Sequence, residues 1–411
     1  MNPRLGLLKP YPFERLRALL SGVTPPAGLA HVNLSIGEPQ HPTPAFLKEA
    51  VAANLGGLAR YPLTRGMPEL RAAIAAWLAR RHGLPGIDAD AQVLPTLGSR
   101  EALFAIAQAL LDPGEHDALV VCPNPFYQIY EGAALLGGAR PFFVNSAPAA
   151  GFAPEWAAIP EHVWKRTRLL YACSPNNPNG RVATLAEWEL LFTLADRHGF
   201  TLVADECYGE IYFDESAPPL GALAAAHRLG RRDFARLVVM GSLSKRSNAP
   251  GLRSGYAAGD AAVLKDFLLY RTYHGSAMSN SVQLASIAAW NDEQHVAENR
   301  RLYREKFAAF FDLVNPVLPL VHPEAAFYYW TAVPGDDESF ARDLYATANV
   351  TVLPGSYLSR DAHGTNPGRG HVRIALVSTV DEAAEAGRRI RDFVRLRATN
   401  AVPHRTPGLS T

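Results

Sequence analysis

The chain has 411 residues, of which 48% are hydrophobic and 19% are charged. This composition excludes a disordered protein, and the length exceeds one typical hydrophobic core, so we expect two domains. The formal charge of +1, from 40 basic and 39 acidic residues, provides no electrostatic footprint for nucleic acid or for an anionic membrane.

The cysteines and the N-terminal segment indicate the compartment. Cys122, Cys173 and Cys207 each lie in or beside an apolar run, where we expect small buried groups. An odd, sparse count argues against a disulfide framework and fits a reducing compartment. The N-terminal segment has no apolar stretch of signal-peptide length, and no run approaches the roughly 18 apolar residues of a membrane span. We therefore expect a cytosolic protein without a membrane segment.

The first half of the chain predicts an arm followed by a regular series of strands. The first 45 residues are rich in proline and glycine and predict an arm and a loop, with one short helix around residues 13–20. From about residue 92, short apolar runs predict buried strands. These runs are QVLPTLG, ALVVCPNP, RPFFVNS, RLLYACSP, FTLVADECY, RLVVMGSLS and SGYAAGD.

Helical patterns separate several of these strands, among them SREALFAIAQALL and TLAEWELLFTLADRHG. The second pattern begins at Thr184 and has Glu187 three residues later, which is the spacing of a capping box. His198 and Gly199 provide its stop signal. Strands that alternate with helices predict an α/β fold with a mostly parallel sheet of about seven strands between helices.

After about residue 290 the pattern changes to that of a smaller α+β domain. The charged helix pattern EQHVAENRRLYREKFAAFFDLV leads into the short strands AAFYYWTAV and HVRIALV and a last amphipathic helix, VDEAAEAGRRIRDFVRLR. We predict a large domain over residues 46–290 and a small domain formed by residues 1–45 and 291–411. Residues 398–411 lose the apolar periodicity and predict a loose tail.

Four polar clusters follow strand runs in this order: GSREAL, SPNNPNG, DECY and SLSKRSNAPGLRSG. Each cluster alone has a plain structural explanation, because SPNNPNG is good turn chemistry and a single lysine is usually solvated surface. Ligands of α/β sheets gather at the carboxyl ends of strands. The joint occurrence of the clusters at these ends therefore predicts a functional site.

Together with an arginine near the C-terminus, these four motifs resemble the fold-type I aminotransferases of class I/II, over nearly the whole chain. The resemblance implies an enzyme that uses pyridoxal 5'-phosphate (PLP) to move amino groups, with residues 46–290 as the PLP-binding domain. We predict no metal ligands.

The resemblance implies roles for the residues around the cofactor ring. Lys245 matches the lysine that forms the Schiff base with PLP and then carries the proton between Cα and C4'. Asp205 matches the carboxylate that keeps the ring nitrogen protonated. Tyr208 and Asn177 match the two residues that hydrogen-bond the phenolic oxygen and so lower the Schiff-base pKa.

The resemblance also implies a phosphate site. The backbone N–H groups of Ser99 and Arg100 lie at a predicted helix N-terminus, which is a ready anion site. Ser242 and Ser244 offer hydroxyl groups, and Arg253 offers a charge-assisted contact.

Four further residues match family positions around the substrate and the subunit boundary. Tyr127 matches the aromatic residue that stacks on the pyridine ring. Arg373 matches the arginine that binds the substrate α-carboxylate. Gly37 matches a loop glycine that faces the substrate. Asn177 also counts among the substrate-binding residues of the family. Tyr61 matches a tyrosine that reaches the phosphate of the neighbouring subunit, which implies a homodimer with shared active sites.

The segments SLSKRSNAPGLRSGYAAGD and LLYRTYHGSAMS resemble N-succinyldiaminopimelate aminotransferases. In that family L-glutamate donates its amino group to N-succinyl-2-amino-6-oxopimelate, and 2-oxoglutarate is released. This long acceptor needs anion contacts beyond the family arginine. We predict that Arg271 makes one, with hydrogen bonds from Tyr273, His274 and Ser276, and that Arg65 is a weaker candidate; the alternative for Arg271 is a solvated cation at a helix end.

Other chemistries of the same scaffold stay open, whereas two non-enzymatic functions conflict with the sequence. The same scaffold serves aminotransferases for other oxo-acids, such as the aromatic or alanine type, as well as carbon–sulfur lyases and cyclopropane-forming synthases. A PLP-sensing domain of a transcription regulator would carry a helix-turn-helix module, for which residues 1–34 leave no room ahead of SIGEP. A scaffold protein without activity conflicts with the intact set of motifs.

Overall fold

The computed structural model describes residues 1–401 of the chain. The α-helices of this part are α1 (Pro12–Leu20), α2 (Ala45–Ala53), α3 (Pro68–His82), α4 (Ser99–Leu110), α5 (Ile129–Leu136), α6 (Glu161–Trp164), α7 (Leu185–His198), α8 (Ala222–Arg228), α9 (Leu243–Arg246), α10 (Ala261–His274), α11 (Asn280–Asn291), α12 (Gln294–Val314), α13 (Asp337–Ala348) and α14 (Val380–Ala401). Short 3₁₀ helices cover Pro3–Leu7, Leu55–Ala59, Pro148–Ala150, Trp156–Ala158, Pro250–Leu252 and Gly355–Leu358.

The strands are β1 (Val32–Asn33), β2 (Val93–Thr96), β3 (Leu119–Asn124), β4 (Arg140–Asn145), β5 (Thr167–Cys173), β6 (Thr201–Asp205), β7 (Leu237–Ser242), β8 (Gly255–Gly259), β9 (Tyr328–Ala332), β10 (Val350–Thr351), β11 (Leu353–Pro354) and β12 (His371–Ala375). Seven of them form one sheet in the order β2-β8-β7-β6-β5-β3-β4. Strand β8 is antiparallel to β2 and β7, and the remaining pairs are parallel. Each of the seven apolar runs provides one strand, so the predicted α/β fold with a mostly parallel seven-stranded sheet is confirmed.

Apolar side chains alternate between the two faces of this sheet. Val121 and Leu170 pack into one buried core, whereas Val120 and Leu169 pack into another on the opposite face. A strand buried on both faces must be apolar at successive positions, which explains the continuous apolar runs of the sequence. The helices that cover both faces hold the sheet rigid and fix its carboxyl edge.

Helix α7 has the predicted boundaries because both of its ends are capped. Thr184 Oγ1 accepts a hydrogen bond from the Glu187 backbone N–H at 3.3 Å, and Glu187 Oε2 accepts one from the Thr184 N–H at 2.8 Å. Gly199 ends the helix in the left-handed region, with φ of 80°. The capping box therefore exists as expected.

Both ends of the chain contribute to a second core. Strand β1 pairs in parallel with β10, and β11, β12 and β9 form an antiparallel sheet. Val32 from the N-terminal segment packs in one cluster with Phe307 and Ile374. The N-terminal segment is thus part of this second core. The domain boundaries at residues 46 and 290 stay predictions.

Two further predictions concern the chain ends and the cysteines. Helix α14 continues through Ala401, so the loose tail predicted from residue 398 was wrong at its start, and the rest of it lies outside the described residues. All three cysteines are free, and the cytosolic location stays a prediction. Within residues 1–401, no helix combines the length and the apolar character that crossing a membrane requires.

Candidate active site

The polar clusters that follow β2, β5, β6 and β7 converge on one cavity of about 570 Å³. They meet because these four strands end at the same edge of the sheet. Eleven of the predicted site residues line this cavity, namely Gly37, Ser99, Arg100, Tyr127, Asn177, Asp205, Tyr208, Ser244, Lys245, Arg253 and Arg373. The strand-end clusters therefore form a single site.

Lys245 lies on the short helix α9, directly after β7. Its Nζ donates a hydrogen bond to the carbonyl oxygen of Gly37 at 2.5 Å. Burial lowers the pKa of the Lys245 ammonium to about 8, and the cation of Arg373 acts in the same direction. A lysine with a pKa this low has a sizeable neutral fraction near physiological pH, which is the form that attacks an aldehyde.

Gly37 has a steric reason to be glycine. A Cβ at this position would lie 1.9 Å from the Tyr328 hydroxyl oxygen, so any side chain would displace that tyrosine. Tyr328 Oη in turn lies 2.7 Å from Tyr208 Oη. The close approach of the Gly37 backbone leaves the carbonyl oxygen facing Lys245.

Asp205 is buried at the carboxyl end of β6. Its Oδ2 accepts a hydrogen bond from Tyr130 Oη at 2.7 Å, and its Oδ1 accepts one from the Cys207 backbone N–H at 3.2 Å. Burial raises the pKa of the Asp205 carboxyl, and both hydrogen bonds oppose that rise. This carboxylate is suited to pair with a cation that enters the cavity.

The neighbouring Glu206 does not line the cavity, and its side chain contacts the start of α8 instead. Its Oε1 accepts a hydrogen bond from the backbone N–H of Ala222, the first residue of α8, at 2.5 Å. Burial raises the pKa of the Glu206 carboxyl to about 7. Its contact with the start of α8 is therefore a structural one.

Donors for an anion collect at the N-terminus of α4. Ser99 and Arg100 begin this helix after Gly98, whose φ of 80° turns the chain toward the cavity. A Cβ at Gly98 would lie 2.6 Å from Nη2 of Arg253, so glycine allows that guanidinium to approach the helix. Ser244 completes this corner of the cavity.

Ser242 lies one layer behind this corner. Its hydroxyl donates to the Ser254 carbonyl oxygen at 3.1 Å, and its Oγ lies 2.8 Å from Ser244 Oγ. Ser242 also accepts the Ser244 backbone N–H at 3.0 Å, so it orients the serine that lines the cavity. A direct contact between Ser242 and a phosphate stays a prediction.

Arg373 reaches the cavity from β12 of the C-terminal part. Nη1 donates to Asn177 Oδ1 at 2.9 Å, and Nη2 donates to the Ser35 carbonyl oxygen at 2.8 Å. Its guanidinium carbon lies 4.4 Å from the centroid of the Tyr328 ring, and its Nε is buried without a partner within the described residues. The side chain is thus held in a fixed position at the cavity wall.

Arg271 was predicted to meet a distal substrate carboxylate, and the structure corrects this prediction. Its side chain is 1% exposed and donates from Nη1 to the carboxylate of Glu101 at 2.5 Å. Nη2 donates to the Ser276 carbonyl oxygen, and Ser276 Oγ also donates to Glu101. A buried guanidinium requires a counter-charge, and Glu101 supplies it inside the protein, away from the cavity.

The remaining candidates for distal contacts also lie outside the cavity. Tyr273 is 88% exposed, and the His274 ring bonds to Ser276 Oγ at 2.6 Å. Arg65 donates to the Asp90 carbonyl oxygen. Tyr61 is fully exposed and does not line the cavity of its own chain. The predicted role of Tyr61 in a neighbouring subunit stays a prediction.

Several lining residues were not predicted from the sequence. Tyr11 and Phe13 from the N-terminal arm, Gln128 and Tyr328 line the cavity. Tyr328 lies in the quoted run AAFYYWTAV, which predicts its strand but not that its side chain lines the cavity. The arm residues had no signal, since no local pattern shows that the first turn of α1 folds over a distant site.

The arrangement fits PLP on the chemistry of its donors. The cavity presents an amine of lowered pKa for an aldehyde, a buried carboxylate for a ring nitrogen, and hydroxyl, backbone and guanidinium donors for a phosphate. The donors for the phosphate come together because the Arg253 guanidinium approaches Gly98 closely. The residues present could therefore hold the cofactor without rearrangement of the fold.

Comparisons with known proteins identify the family. Residues 30–390 match the model of the aminotransferases of class I and II. The chain is 33% identical over 395 residues to an LL-diaminopimelate aminotransferase of Desulforudis audaxviator, covering 94% of this chain and 96% of that protein.

Solved structures give the same result. An aminotransferase from Neisseria meningitidis is 54% identical, with a TM-score of 0.92 over 96% of this chain and 100% of that one. A probable N-succinyldiaminopimelate aminotransferase from Thermus thermophilus is 28% identical, with a TM-score of 0.82 over 93% of this chain and 100% of that one. Family, fold and cavity agree: the chain belongs to the class I and II aminotransferases, and its cofactor is pyridoxal 5'-phosphate.

Proposed function

We propose that the enzyme transfers the amino group of L-glutamate to N-succinyl-2-amino-6-oxopimelate, a reaction of diaminopimelate and lysine biosynthesis. The observation that carries this proposal is the size of the cavity, about 570 Å³, which extends from Lys245 past Arg100 to the arm residues Tyr11 and Phe13. A short oxo-acid beside the cofactor would leave the arm side of this space empty. A relative of known structure, named a probable N-succinyldiaminopimelate aminotransferase, supports the proposal, because N-succinyldiaminopimelate is the amine that this transfer would form.

Within this proposal the residues of the cavity have separate tasks. Lys245 holds the cofactor aldehyde and moves a proton at the substrate Cα, and Asp205 pairs with the ring nitrogen. Tyr208 and Asn177 hydrogen-bond the phenolic oxygen, and Arg373 binds the substrate α-carboxylate. Bound PLP supplies the electron sink for the bond that breaks at Cα.

The rest of the cavity serves the two ends of the cofactor. The phosphate is held by the backbone N–H groups of Ser99 and Arg100, by the Ser244 hydroxyl and by the Arg253 guanidinium. Ser242 supports Ser244 or contacts the phosphate directly. Tyr127 packs against the ring, and Gly37 faces the substrate. Because most of these groups lie at the carboxyl edge of one sheet, cofactor and substrate are oriented together.

We propose that Arg100 takes the role first expected of Arg271. The Arg100 side chain lines the cavity, and its Nε donates to Tyr127 Oη at 2.6 Å. Within residues 1–401 its two Nη groups have no hydrogen-bond acceptor, so they are available to a distal carboxylate. Arg100→Ala should raise KM for the succinylated acceptor by about 10- to 100-fold and KM for glutamate much less, since a hydrogen bond to a charged group is worth roughly 1.5–3 kcal/mol.

A second candidate is an enzyme that acts on LL-diaminopimelate without the succinyl group, which the names of the curated relatives favour. The two candidates differ in whether the distal nitrogen is acylated. The holoenzyme should be mixed with LL-diaminopimelate, with N-succinyl-LL-diaminopimelate and with L-glutamate, while the absorbance change between the aldehyde and amine forms of the cofactor is followed.

We expect the succinylated donor to convert the cofactor with a kcat/KM at least about tenfold above that of free LL-diaminopimelate, because about 1.4 kcal/mol of additional binding suffices for that ratio. A preference for free LL-diaminopimelate would support the second candidate. If pyruvate or an aromatic oxo-acid proves a far better amino acceptor than the oxo-acids of both candidates, the diaminopimelate assignment is contradicted. Release of sulfide or pyruvate from a cysteine-like substrate would indicate a carbon–sulfur lyase.

We also propose a homodimer with shared active sites. Large apolar side chains are exposed on the segment that contains Leu55, Leu58, Tyr61 and Leu63, and on α10 at Leu269. Exposed apolar patches of this kind mark protein interfaces. Inactive Tyr61→Ala and Lys245→Ala variants, mixed under conditions of subunit exchange, should regain part of the activity, because one hybrid site has both residues. A monomer by light scattering, or no recovery after proven exchange, would contradict the shared site.

A further inference from the structure

The carboxylate of Asp205 is held by a side chain that lies outside the cavity. Tyr130 Oη donates to Asp205 Oδ2 at 2.7 Å, and Tyr130 is not among the residues that line the cavity. The other carboxylate oxygen accepts the Cys207 N–H at 3.2 Å. Each oxygen of Asp205 thus has one protein donor and keeps acceptor capacity toward the cavity.

Aromatic packing fixes the position of this donor. The Tyr130 ring stacks on Tyr171, with 4.6 Å between ring centroids and 12° between ring planes. The Tyr127 ring meets it edge-on at 5.9 Å. Tyr130 lies on α5 and is fully buried. This packing holds the phenol oxygen beside the Asp205 carboxylate.

The phenol supplies this hydrogen bond without a positive charge. Burial raises the pKa of Tyr130 far above its ordinary value, and the carboxylate of Asp205 raises it further, so the hydroxyl stays protonated. A cationic partner would neutralise Asp205 and compete with a protonated ring nitrogen for the same carboxylate. A neutral donor offsets part of the free energy that burial of the Asp205 carboxylate costs. It leaves the negative charge of Asp205 available to the ring nitrogen.

We propose that Tyr130 is a positioning residue that keeps Asp205 ionised and directed at the cofactor, so that the proton between them lies on the ring nitrogen. This inference rests on the proposed pairing of Asp205 with that nitrogen. Without the phenol, the buried carboxyl has a higher proton affinity, and the shared proton moves toward Asp205. The cofactor ring then loses the charge on which its use as an electron sink depends.

The test compares Tyr130→Phe with Tyr171→Phe in holoenzyme loaded with ¹⁵N-labelled PLP. Both changes remove one buried hydroxyl and keep the stacked ring, but Tyr171 Oη donates to the Leu103 carbonyl oxygen and does not contact Asp205. In Tyr130→Phe the ring-nitrogen resonance should move toward the neutral-pyridine position. In Tyr171→Phe it should stay at the wild-type position.

Affinity and kinetics provide a second readout. Tyr130→Phe removes a hydrogen bond to a charged group, and such bonds are stronger than those between neutral groups. The variant should therefore bind PLP more weakly and have a kcat about 10- to 100-fold lower. KM for glutamate should stay within about threefold, because Arg373 is untouched. Equal losses in the two Phe variants would mean that only packing was disturbed, and would overturn the proposal.

Asp205→Asn distinguishes a failure of the role proposed for Tyr130 from a failure of the pairing between Asp205 and the ring nitrogen. If Asp205→Asn moves the ring-nitrogen resonance and Tyr130→Phe leaves it in place, the role of Tyr130 is wrong while that of Asp205 stands. If Asp205→Asn itself leaves the resonance in place, the pairing on which the inference rests is wrong. Should Tyr130→Phe not fold, 3-fluorotyrosine at position 130 keeps the hydroxyl as a stronger donor. Because the proposal already puts the proton on the ring nitrogen, the resonance should stay at the wild-type position, and movement toward the neutral-pyridine position would overturn the proposal.

Discussion

Arg373 Nη1 donates a hydrogen bond to Asn177 Oδ1 at 2.9 Å, although the two residues are 196 positions apart in the chain. The bond joins the C-terminal part to the loop after β5 at the wall of the cavity. Because Nη2 is bonded to Ser35, the guanidinium is oriented before any ligand arrives. Orientation of this kind reduces the entropy that substrate binding costs.

Arg373→Lys should separate charge from geometry. Lysine keeps the positive charge but has no planar fork, so it cannot hold Asn177, Ser35 and a carboxylate together. We expect KM for glutamate to rise by about 10- to 150-fold, since the lost contacts are worth roughly 1.5–3 kcal/mol. Titration of the variant with PLP is the control, and its affinity should change little. An unchanged KM would mean that Arg373 does not bind the α-carboxylate.

The sheet and most of the cavity were predictable from the sequence because their signals are local. Seven apolar runs with turn residues between them predict seven strands, and a polar cluster directly after a strand places its side chains at the sheet edge. Lys245, Asp205 and Asn177 each lie within a few residues of such an end. Their convergence follows from topology and needs no knowledge of long-range packing.

The parts that were missed depend on contacts between distant segments. Arg271 at the end of α10 has the same local sequence signal whether it faces a substrate or Glu101, and only the packing of α10 against α4 decides between them. Tyr11 lines the cavity because the N-terminal arm folds over it, and nothing in the local pattern predicts that path. Tyr130 follows Tyr127 by three residues, but its partner Asp205 is 75 positions away.

Arg271→Ala should affect stability rather than substrate choice. Removal of one partner from a buried ion pair leaves Glu101 uncompensated, and the expected loss in the free energy of unfolding is about 3–5 kcal/mol. Denaturant unfolding of the apo-protein measures it. The double variant Arg271→Met with Glu101→Gln should recover part of the loss, because no unpaired charge remains. A selective rise in KM for the succinylated acceptor without loss of stability would restore the original expectation for Arg271.

Cofactor loading should depend on pH through Lys245. Only the neutral amine attacks the PLP aldehyde, and the Lys245 pKa is lowered to about 8. Stopped-flow loading of the apoenzyme, from about pH 7 to about pH 10, should show a rate that rises with pH below about 8 and then levels off. The sign follows from burial, which disfavours the charged form. A rate that continues to rise toward the pKa of an ordinary lysine would mean that Lys245 is not perturbed.

The most direct test of the account is the site of covalent attachment. The holoenzyme is reduced with borohydride, digested and mapped by mass spectrometry, with Lys245→Ala as the control. The account predicts a phosphopyridoxyl group on Lys245 in the wild-type protein, and neither that group nor transamination in the variant. A reduced adduct on another lysine of the wild-type protein, or full activity in Lys245→Ala, would contradict it.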